Sequence, residues 1–321
     1  MLLLNESDVR ELFPMDRALE CVTTSMIAQH SGSGINRSRQ RIFLPDVSLH
    51  YMAAGYADEK LLGLKIYTVA SGGLRFLVLL YDGEGGDLLA MIEADHLGRI
   101  RTGAASGVAT RYMARSDATS VGVIGTGRQA RTQLQAVAQV RKLESVRVYG
   151  RDAARREAFA REMAETLAIP VEPVDTAEAA ARHGKIIITA TTSREPVLKG
   201  AWLQPGTHVN AIGANMLNRR ELDDEALARA STIAVDSVEQ AREEAGDLVQ
   251  GLNAIRGGWQ SIVELHEIVA GALAARKSQD DITIFKSSGI ALWDVISAAW
   301  IYREGLKLGR GSEIGLWQEA V

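Results

Sequence analysis

The stretch VGVIGTGRQA, residues 121–130, predicts the central part of the fold of this 321-residue chain. Four mostly apolar residues run into the pattern Gly125-x-Gly127-x-x-Ala130. In such a pattern the first glycine permits a tight turn, the second lets the backbone approach a pyrophosphate, and the small third residue allows close packing of helix on strand. Amides at the start of the following helix can bind phosphate. The stretch therefore predicts a strand, a turn and a helix that bind a dinucleotide.

Short apolar segments alternate with helical stretches on the carboxyl side of this turn. The segments are VRVY, VEPV, KIIITA, THVNAIG, TIAVDS and ITIFKSSG, and helices are predicted to end near Val140 and to span 153–168 and 177–182. Nearly all-apolar strands that alternate with helices are typical of a parallel sheet covered on both faces. We therefore predict an α/β fold in which a Rossmann-type, doubly wound parallel sheet occupies residues 117–289.

The chain on either side of this segment has a different pattern. A helix is predicted at 15–30, followed by strand-like pieces RIFL, LHYMA, LGLKIYTVA and RFLVLLYD separated by glycine turns, which favour antiparallel hairpins. A second helix is predicted from Gly103 to Ala114 with Thr102 as its N-cap, and 289–308 is again helical. We predict that residues 1–116 and 290–321 form a discontinuous α+β domain into which the nucleotide-binding domain is inserted.

Composition excludes several classes of protein. The net charge is −4, with 46% hydrophobic and 24% charged residues, so we expect neither nucleic acid nor a membrane as partner. The single cysteine, Cys21, allows neither an internal disulfide nor a cysteine metal cluster, and we predict no metal site and a cytoplasmic location. The first residues lack the pattern of a signal peptide, and no apolar run is long enough to span a membrane.

The end of the second strand of the nucleotide domain bears on the choice of cofactor. NAD sites usually carry Asp or Glu there for the ribose hydroxyls. This chain has Gly150 and then Arg151, which favours the 2′-phosphate of NADP(H). Asp152 could supply the acid after a shift of one residue, and the arginines could belong to a solvated helix start, so NAD(H) remains possible.

Several cations in the flanking domain are candidates for carboxylate binding. Arg101, predicted to precede the helix at Thr102, could share an anion with free helix amides. Lys65 lies in an apolar strand, where it either reaches water at the rim of the sheet or points at an anion. Arg39 and Arg41 belong to the run NRSRQR, whose composition alone suggests a solvated loop.

In combination, these segments resemble the ornithine cyclodeaminase/μ-crystallin family over nearly the whole chain. The resemblance rests on RTGAASGVATRYMAR followed at once by VGVIGTGRQA, and then on THVNAIGAN, RRELDDE and ITIFKSSGIALWD. It implies a homodimer whose discontinuous domain binds a small amino or imino acid and pairs the subunits. It also implies hydride exchange at the carbon that bears the carboxylate.

The resemblance also implies roles for individual residues. The carboxylate-binding cations of the family fall on Arg39, with Arg41 as its rival, and on Lys65 and Arg101, and Lys65 is also placed to donate a proton. Thr102 and His50 complete the implied substrate site, and Asn215 is implied to position the reacting nitrogen. The implied cofactor contacts are Gly125, Thr126, Gly127, Arg128, Gln129, Gly150, Arg151, Thr191, Ser287 and Gly289.

Two departures from the family pattern bear on the reaction. Cyclodeaminases and the alanine dehydrogenases of the family carry an aspartate where this chain has Asn215, and cyclodeaminases carry a glutamate where it has His50. A buried diamine without a carboxylate partner would cost several kcal/mol. We therefore predict an NAD(P)H-dependent reductase of a small α-imino acid, such as pyrroline-2-carboxylate, or the reverse amino-acid dehydrogenase. Two alternatives are ornithine cyclodeamination, with Asp46 or Asp223 as a substitute acid, and a crystallin-like NADP-binding protein with little turnover.

Overall fold

A computed structural model of the chain describes residues 1–316, which form two compact units. The first unit contains Met1–Arg101 and the segment from Gly289 onward, and the second contains Thr102–Ser288. The first division falls inside a helix, whereas the sequence-based boundary at 116/117 lies beyond the end of that helix. Positions 317–321, which the prediction assigns to the discontinuous domain, lie outside the described residues.

The first unit is built on a mixed sheet of eight strands in the order β16-β1-β7-β6-β5-β4-β2, with β3 also paired to β4. Before the unit boundary the elements are β1 (Leu2–Leu4), α1 (Glu6–Leu12), α2 (Met15–Ser31), β2 (Gly34–Asn36), β3 (Gln40–Phe43), β4 (Val47–Tyr56), β5 (Leu61–Ala70), β6 (Gly73–Asp82), β7 (Leu88–Glu93) and α3 (Asp95–Met113), which crosses the boundary. The antiparallel hairpins and the helix at 15–30 are confirmed, whereas β1, α1 and β7 were not predicted.

The helix α3 corrects the predicted helix at Gly103–Ala114. It begins at Asp95, because the Glu6 carboxylate accepts hydrogen bonds from the backbone N–H groups of Asp95 at 2.5 Å and His96 at 3.1 Å and so satisfies its first turn. Thr102 therefore lies inside the helix, and its predicted role as N-cap is wrong. Arg101 has no free helix amides beside it, because the amides around it belong to the interior of the helix.

The second unit is built on a sheet of eight parallel strands in the order β10-β9-β8-β11-β12-β15-β13-β14. Its elements are β8 (Ser120–Ile124), α4 (Arg128–Val140), β9 (Ser145–Tyr149), α5 (Ala153–Leu167), β10 (Val171–Pro173), α6 (Ala177–His183), β11 (Ile186–Thr189), β12 (His208–Ala211), α7 (Asp224–Arg229), β13 (Thr232–Val235), α8 (Val238–Glu244), α9 (Gly246–Gln250), β14 (Ile262–Glu264), α10 (Leu265–Val269) and β15 (Thr283–Lys286). The predicted doubly wound α/β fold is confirmed.

The last described elements return to the first unit. They are α11 (Ala291–Leu308) and β16 (Ser312–Glu313), which pairs antiparallel with β1. The helix predicted over 289–308 is confirmed, and Trp293 and Ile296 are buried on it. In sequence, the unit with the parallel sheet lies between the two segments of the first unit, which is why its glycine turn begins more than a third of the way along the chain.

Candidate functional site

Lys65 lies in the middle of β5, where it pairs with Met52 of β4 and Val78 of β6. Its side chain is 4% exposed, so it does not reach water at the rim of the sheet. The Nζ atom instead donates a hydrogen bond to Oδ1 of Asp294 at 2.7 Å. Burial and the nearby charges of Arg101 and Arg39 outweigh this carboxylate and lower the pKa of Lys65 to about 7.

Asp294 joins Lys65 to Arg101. The Nε atom of Arg101 donates to the same Oδ1 atom at 3.0 Å, and the guanidinium lies over the ring of Trp293, 5.5 Å from its centroid. Burial by itself raises the pKa of a carboxyl, but the charges of Arg101 and Lys65 prevail and the pKa of Asp294 is lowered. The carboxylate is therefore held ionised between two cations.

Arg39 completes a cluster with these three residues. It is buried and donates from Nη2 to the carbonyl oxygen of Gly289 at 3.4 Å, and its charge contributes to lowering the pKa of Lys65. Two of these cations, Lys65 and Arg101, bind the same buried carboxylate, and Arg39 adds a third positive charge close to Lys65. We call Arg39, Lys65, Arg101 and Asp294 the cation cluster. Gly289, which was expected beside a cofactor, contacts this cluster.

A row of aromatic rings flanks the cation cluster on the same face of the sheet. His50 stacks on Tyr67 at 4.6 Å between centroids, Tyr67 contacts Phe76 at 4.8 Å, and Lys65 Nζ lies 5.6 Å from the centroid of Phe76. A 2.8 Å hydrogen bond joins His50 Nε2 to the Ser48 hydroxyl. Arg41, the rival of Arg39, pairs with His50 across β3 and β4.

The glycine turn of the second unit has the geometry of a phosphate cradle. Gly125 has a φ of 115°, and a Cβ there would lie 2.4 Å from the Ala190 carbonyl oxygen, so only glycine fits. No heavy atom comes within 4 Å of the position that a Cβ on Gly127 would occupy, and no side chain caps the helix that starts at Arg128. Open backbone and uncapped amides match what a pyrophosphate requires. These residues therefore fit the pyrophosphate of a dinucleotide.

Gly150 and Thr191 lie beside this turn. A Cβ on Gly150 would come within 2.8 Å of Thr126 Cγ2, so an acidic side chain there would displace Thr126. Arg151 follows it and is exposed, and Asp152 caps α5 by accepting from the Arg155 N–H at 2.9 Å. Thr191 Cγ2 lies 3.2 Å from the Cβ position of Gly125, so the ends of three neighbouring strands meet here.

The other predicted positions lie on loops or helices of the second unit. Asn215 is half-buried on the loop that follows β12. The Ser287 hydroxyl, just after β15, donates to Asp236 Oδ2 at 2.9 Å. The Thr102 carbonyl accepts from Gln133 Nε2 at 3.0 Å. Arg128 and Gln129 begin α4.

Sequence reasoning missed three buried acidic residues, Asp294, Glu221 and Asp247. Asp294 could have been found as the one charged residue in the apolar run ALWDVISAAW of α11. Glu221 lies in RRELDDE, a segment used only as a family mark, where three more acidic residues follow within four positions and hide which acid is buried.

The described residues contain neither a membrane-spanning helix nor a cluster of metal-binding side chains. No helix within residues 1–316 is long and apolar enough to cross a membrane. No group of three or more His, Cys, Asp or Glu side chains in that range could hold a metal ion.

The parallel sheet and its glycine turn define an α/β protein with a Rossmann-type nucleotide-binding unit. The model of the ornithine cyclodeaminase/mu-crystallin family matches residues 1–308, and the chain belongs to that family. It is 34% identical to a Delta(1)-pyrroline-2-carboxylate reductase of Bacillus cereus, with 98% of this chain and 99% of the relative covered.

Two solved structures are similar over almost the whole chain. One is the Delta(1)-pyrroline-2-carboxylate reductase of Thermococcus litoralis in complex with NADH and L-proline, with 36% identity, a TM-score of 0.93, and 98% of this chain and 100% of that chain covered. The other is an archaeal alanine dehydrogenase dimer with bound NAD, with 31% identity, a TM-score of 0.93, and 99% of each chain covered.

Proposed function

We propose that this protein is an NAD(P)H-dependent reductase of a small α-imino acid of the pyrroline-2-carboxylate class, which yields the amino acid and can run in reverse as a dehydrogenase. The observation that carries the proposal is the cation cluster, in which three cations are buried close together and two of them bind the same carboxylate. The similarity to pyrroline-2-carboxylate reductases supports the same reaction.

The surplus charge suits a substrate carboxylate. Arg39 and Arg101 supply planar guanidinium groups, which bind carboxylates with charge-assisted hydrogen bonds. Arg39 is preferred to Arg41 because Arg39 is buried and its charge contributes to lowering the pKa of Lys65. The substrate anion would restore the charge balance that Asp294 leaves incomplete.

Lys65 is assigned the proton that reduction requires. Reduction of an imine adds one hydride to carbon and one proton to nitrogen, so the C=N double bond becomes a C–N single bond with an N–H. A lysine whose pKa is about 7 is about half protonated at neutral pH and releases its proton more readily than an exposed lysine does. Asp294 fixes the direction of the ammonium group through the 2.7 Å hydrogen bond.

Neutral groups at two positions favour a monoamino product over a diamine. Asn215 is assigned to position the imine nitrogen, and His50 to contact the substrate beside Tyr67. Neither can act as a permanent carboxylate partner for a second ammonium. The substitute acids of the cyclodeaminase alternative do not help, because Asp46 is exposed in a turn and Asp223 caps α7 and accepts from Gly200 N–H at 2.8 Å.

The cofactor would be held by the glycine turn, Gly150, Arg151 and Thr191. Ser287, which directly follows β15, would add a further contact. When bound, NAD(P)H supplies the hydride. NADP(H) is preferred because Arg151 is exposed next to Gly150, where no acid fits, and because Asp152 is used as a helix cap. The solved relatives contain NADH and NAD, so the preference depends on these residues alone.

We also propose that the protein is a cytoplasmic homodimer. Large apolar side chains are exposed on β2, β3, the turn after β3 and β5, at Ile35, Ile42, Phe43, Leu44 and Leu62. An exposed apolar set of this size is typical of a protein–protein interface. The one cysteine, Cys21, is buried and suits a reducing compartment.

The test is a substrate panel with purified full-length protein. Pyrroline-2-carboxylate, linear ketimines formed from keto acids and amines, and ornithine are each incubated with NADPH or NADH. We expect oxidation of the cofactor with the imines and formation of the matching amino acid by mass spectrometry. Ornithine converted to proline without net change in cofactor, with no imine reduced, would establish the cyclodeaminase alternative instead. Tight NADPH binding without turnover of any imine would establish the crystallin-like one.

A further inference from the structure

Three fully buried charged side chains lie together at the carboxyl ends of the parallel strands, and none of them belongs to the sites described above. They are Glu221, Asp247 and Lys286, each 0% exposed. We propose that this trio is a positioning device, which holds the loop 211–215 after β12 and thereby the side chain of Asn215. The proposal rests on the role given to Asn215 in the proposed function.

Glu221 ties that loop to the neighbouring one. Its carboxylate accepts a hydrogen bond from the N–H of Gly213 at 2.7 Å and another from the N–H of Thr191 at 2.6 Å, and a third comes from the Thr189 hydroxyl at 2.9 Å. Gly213 lies two residues before Asn215, and Thr191 is a proposed cofactor contact. One buried carboxylate therefore fixes the spacing between two loops that carry proposed site residues.

Lys286 holds the same loop from the other side. Its Nζ atom donates to the carbonyl oxygens of Ala211, at 3.2 Å, and Ala214, and lies 3.4 Å from Asp247 Oδ2. Lys286 is also the last residue of β15 and directly precedes Ser287. The loop is thus bound by its carbonyl groups to a lysine and by an N–H group to a glutamate.

Asp247 contacts both Glu221 and Lys286. Its Oδ1 atom accepts from the N–H groups of Glu221 at 2.6 Å and Leu222 at 2.8 Å, while Oδ2 faces Lys286. A buried ionic group is weak evidence for stability, because a packed apolar replacement is often as stable. Glu221 and Lys286 instead both contact one short loop, and Asp247 contacts both of them, which favours a role of the trio in the geometry of that loop.

The second unit offers a matched control at the opposite ends of the same two strands. Arg276 donates to the carbonyl oxygens of Gly206 at 3.0 Å and Met113 at 2.6 Å, and contacts the hydroxyl of Thr283 at 3.2 Å. Gly206 precedes β12, and Thr283 begins β15. Arg276 therefore fastens the amino ends of the strands whose carboxyl ends Lys286 fastens.

The experiment compares Lys286→Met with Arg276→Met in the full-length protein. We expect Lys286→Met to lower kcat with the imine about 10-fold, to change the KM for NAD(P)H little, and to speed amide hydrogen exchange in the peptide that contains 211–215. Arg276→Met should lower the melting temperature by a similar amount but keep kcat within about twofold. When Asn215→Ala is already present, adding Lys286→Met should lower kcat almost no further, because the effects of substitutions at residues that act together are not additive.

An equal loss of kcat in Lys286→Met and Arg276→Met at matched melting temperatures would overturn the proposal. So would unchanged hydrogen exchange in the loop, or full additivity with Asn215→Ala. If Lys286→Met does not fold, Glu221→Gln replaces it, because the amide keeps the volume but loses one acceptor. If the wild-type protein reduces no imine, the proposed function fails, and hydrogen exchange alone then decides whether the trio holds the loop.

Discussion

Lys65 and Lys286 are both buried lysines beside an aspartate, yet their surroundings differ in charge. Lys65 shares Asp294 with Arg101 and lies near Arg39, so its cluster has three cations for one carboxylate. Lys286 faces two buried carboxylates, Asp247 directly and Glu221 through it, and also donates to backbone carbonyl groups. The residues named around Lys65 include more cations than carboxyl groups, whereas those around Lys286 include more carboxyl groups than cations, and burial together with Asp247 raises the pKa of Glu221.

This difference separates a binding group from a positioning group. A positive surplus in a buried place is costly until an anion arrives, so the cation cluster suits a substrate carboxylate. Lys286 already uses its donors on two carbonyl oxygens and a carboxylate, so few remain for a ligand. Its hydrogen bonds instead stabilise the backbone of the loop 211–215. Substitutions at the two sites should therefore change different observables.

The largest effect is expected from substitution of Lys65, with the same substitution of Lys286 as the comparison. Lys65→Met removes both the proposed proton donor and one charge of the cluster, so kcat/KM for the imine should fall by about 10³-fold. Lys286→Met should lower it by only about 10-fold. Steady-state kinetics measures both, with NAD(P)H fluorescence titration as the control for cofactor binding. Equal losses of kcat/KM in Lys65→Met and Lys286→Met would contradict the distinction between a binding lysine and a positioning lysine.

Next in size is the effect of an arginine of the cation cluster. Arg101→Met should raise the KM for the imino acid between about 10- and 100-fold, because a charge-assisted hydrogen bond to a carboxylate contributes about 1.5–3 kcal/mol. Arg41→Met, outside the cluster, is the matched variant and should leave KM within about threefold. A larger effect at Arg41 than at Arg39→Met would exchange the roles of these two arginines.

The exposed Arg151 provides a comparison with the buried cations of the cation cluster. Arg151→Ser should lower the preference for NADPH over NADH by about 10-fold, measured as the ratio of kcat/KM values, since it removes a charge opposite the 2′-phosphate. Arg155→Ser, one helical turn further and near Asp152, is the control and should change the ratio little. A ratio that is unaffected by Arg151→Ser would argue for NAD(H) as the natural cofactor.

The smallest expected effect is a shift along the pH axis. The pKa of Lys65 is lowered to about 7, so its proton is present below that pH and kcat/KM should decline as the pH rises through 7. Asp294 is one of the groups that raise the pKa of Lys65, and Asp294→Asn should therefore move the declining limb to lower pH by about 1 unit.

The control for this shift is Asp247→Asn, the same replacement beside the other buried lysine. It should leave the pH of half-maximal kcat/KM unchanged even where it lowers the rate. A shift of the same size in both variants would show that the declining limb reports on something other than Lys65.

The glycine turn and the cation cluster were not equally predictable from the sequence. The parallel sheet and glycine turn follow from local periodicity and from residues close together in the chain, which is why they were predicted from Val121 onward. The cation cluster joins residues from a loop, a strand and two helices far apart in sequence, and only the family resemblance pointed to Arg39, Lys65 and Arg101 together. The helix start at Asp95 was missed because its capping acid, Glu6, is 89 residues away in sequence.

Partners distant in sequence also explain the missed acids. Asp294 meets Lys65 and Arg101 only in the folded unit, 229 and 193 residues apart in sequence. Glu221 is flanked by charged residues, so nothing local marks it as the buried one. By contrast, Gly150 and Arg151 could be read from their place at the end of a predicted strand.

The most direct test of the central claim is the affinity of the NADH-loaded protein for L-proline as a function of pH. Isothermal titration calorimetry between pH 6 and 9 measures both the affinity and the protons taken up on binding. If the cation cluster binds the carboxylate and Lys65 loses its proton near pH 7, affinity should fall about 10-fold or more across this range, with proton uptake above pH 7. The fall should be absent in Lys65→Met and retained in Lys286→Met. An affinity that does not change with pH in the wild-type protein, or that changes equally in both variants, would contradict the account.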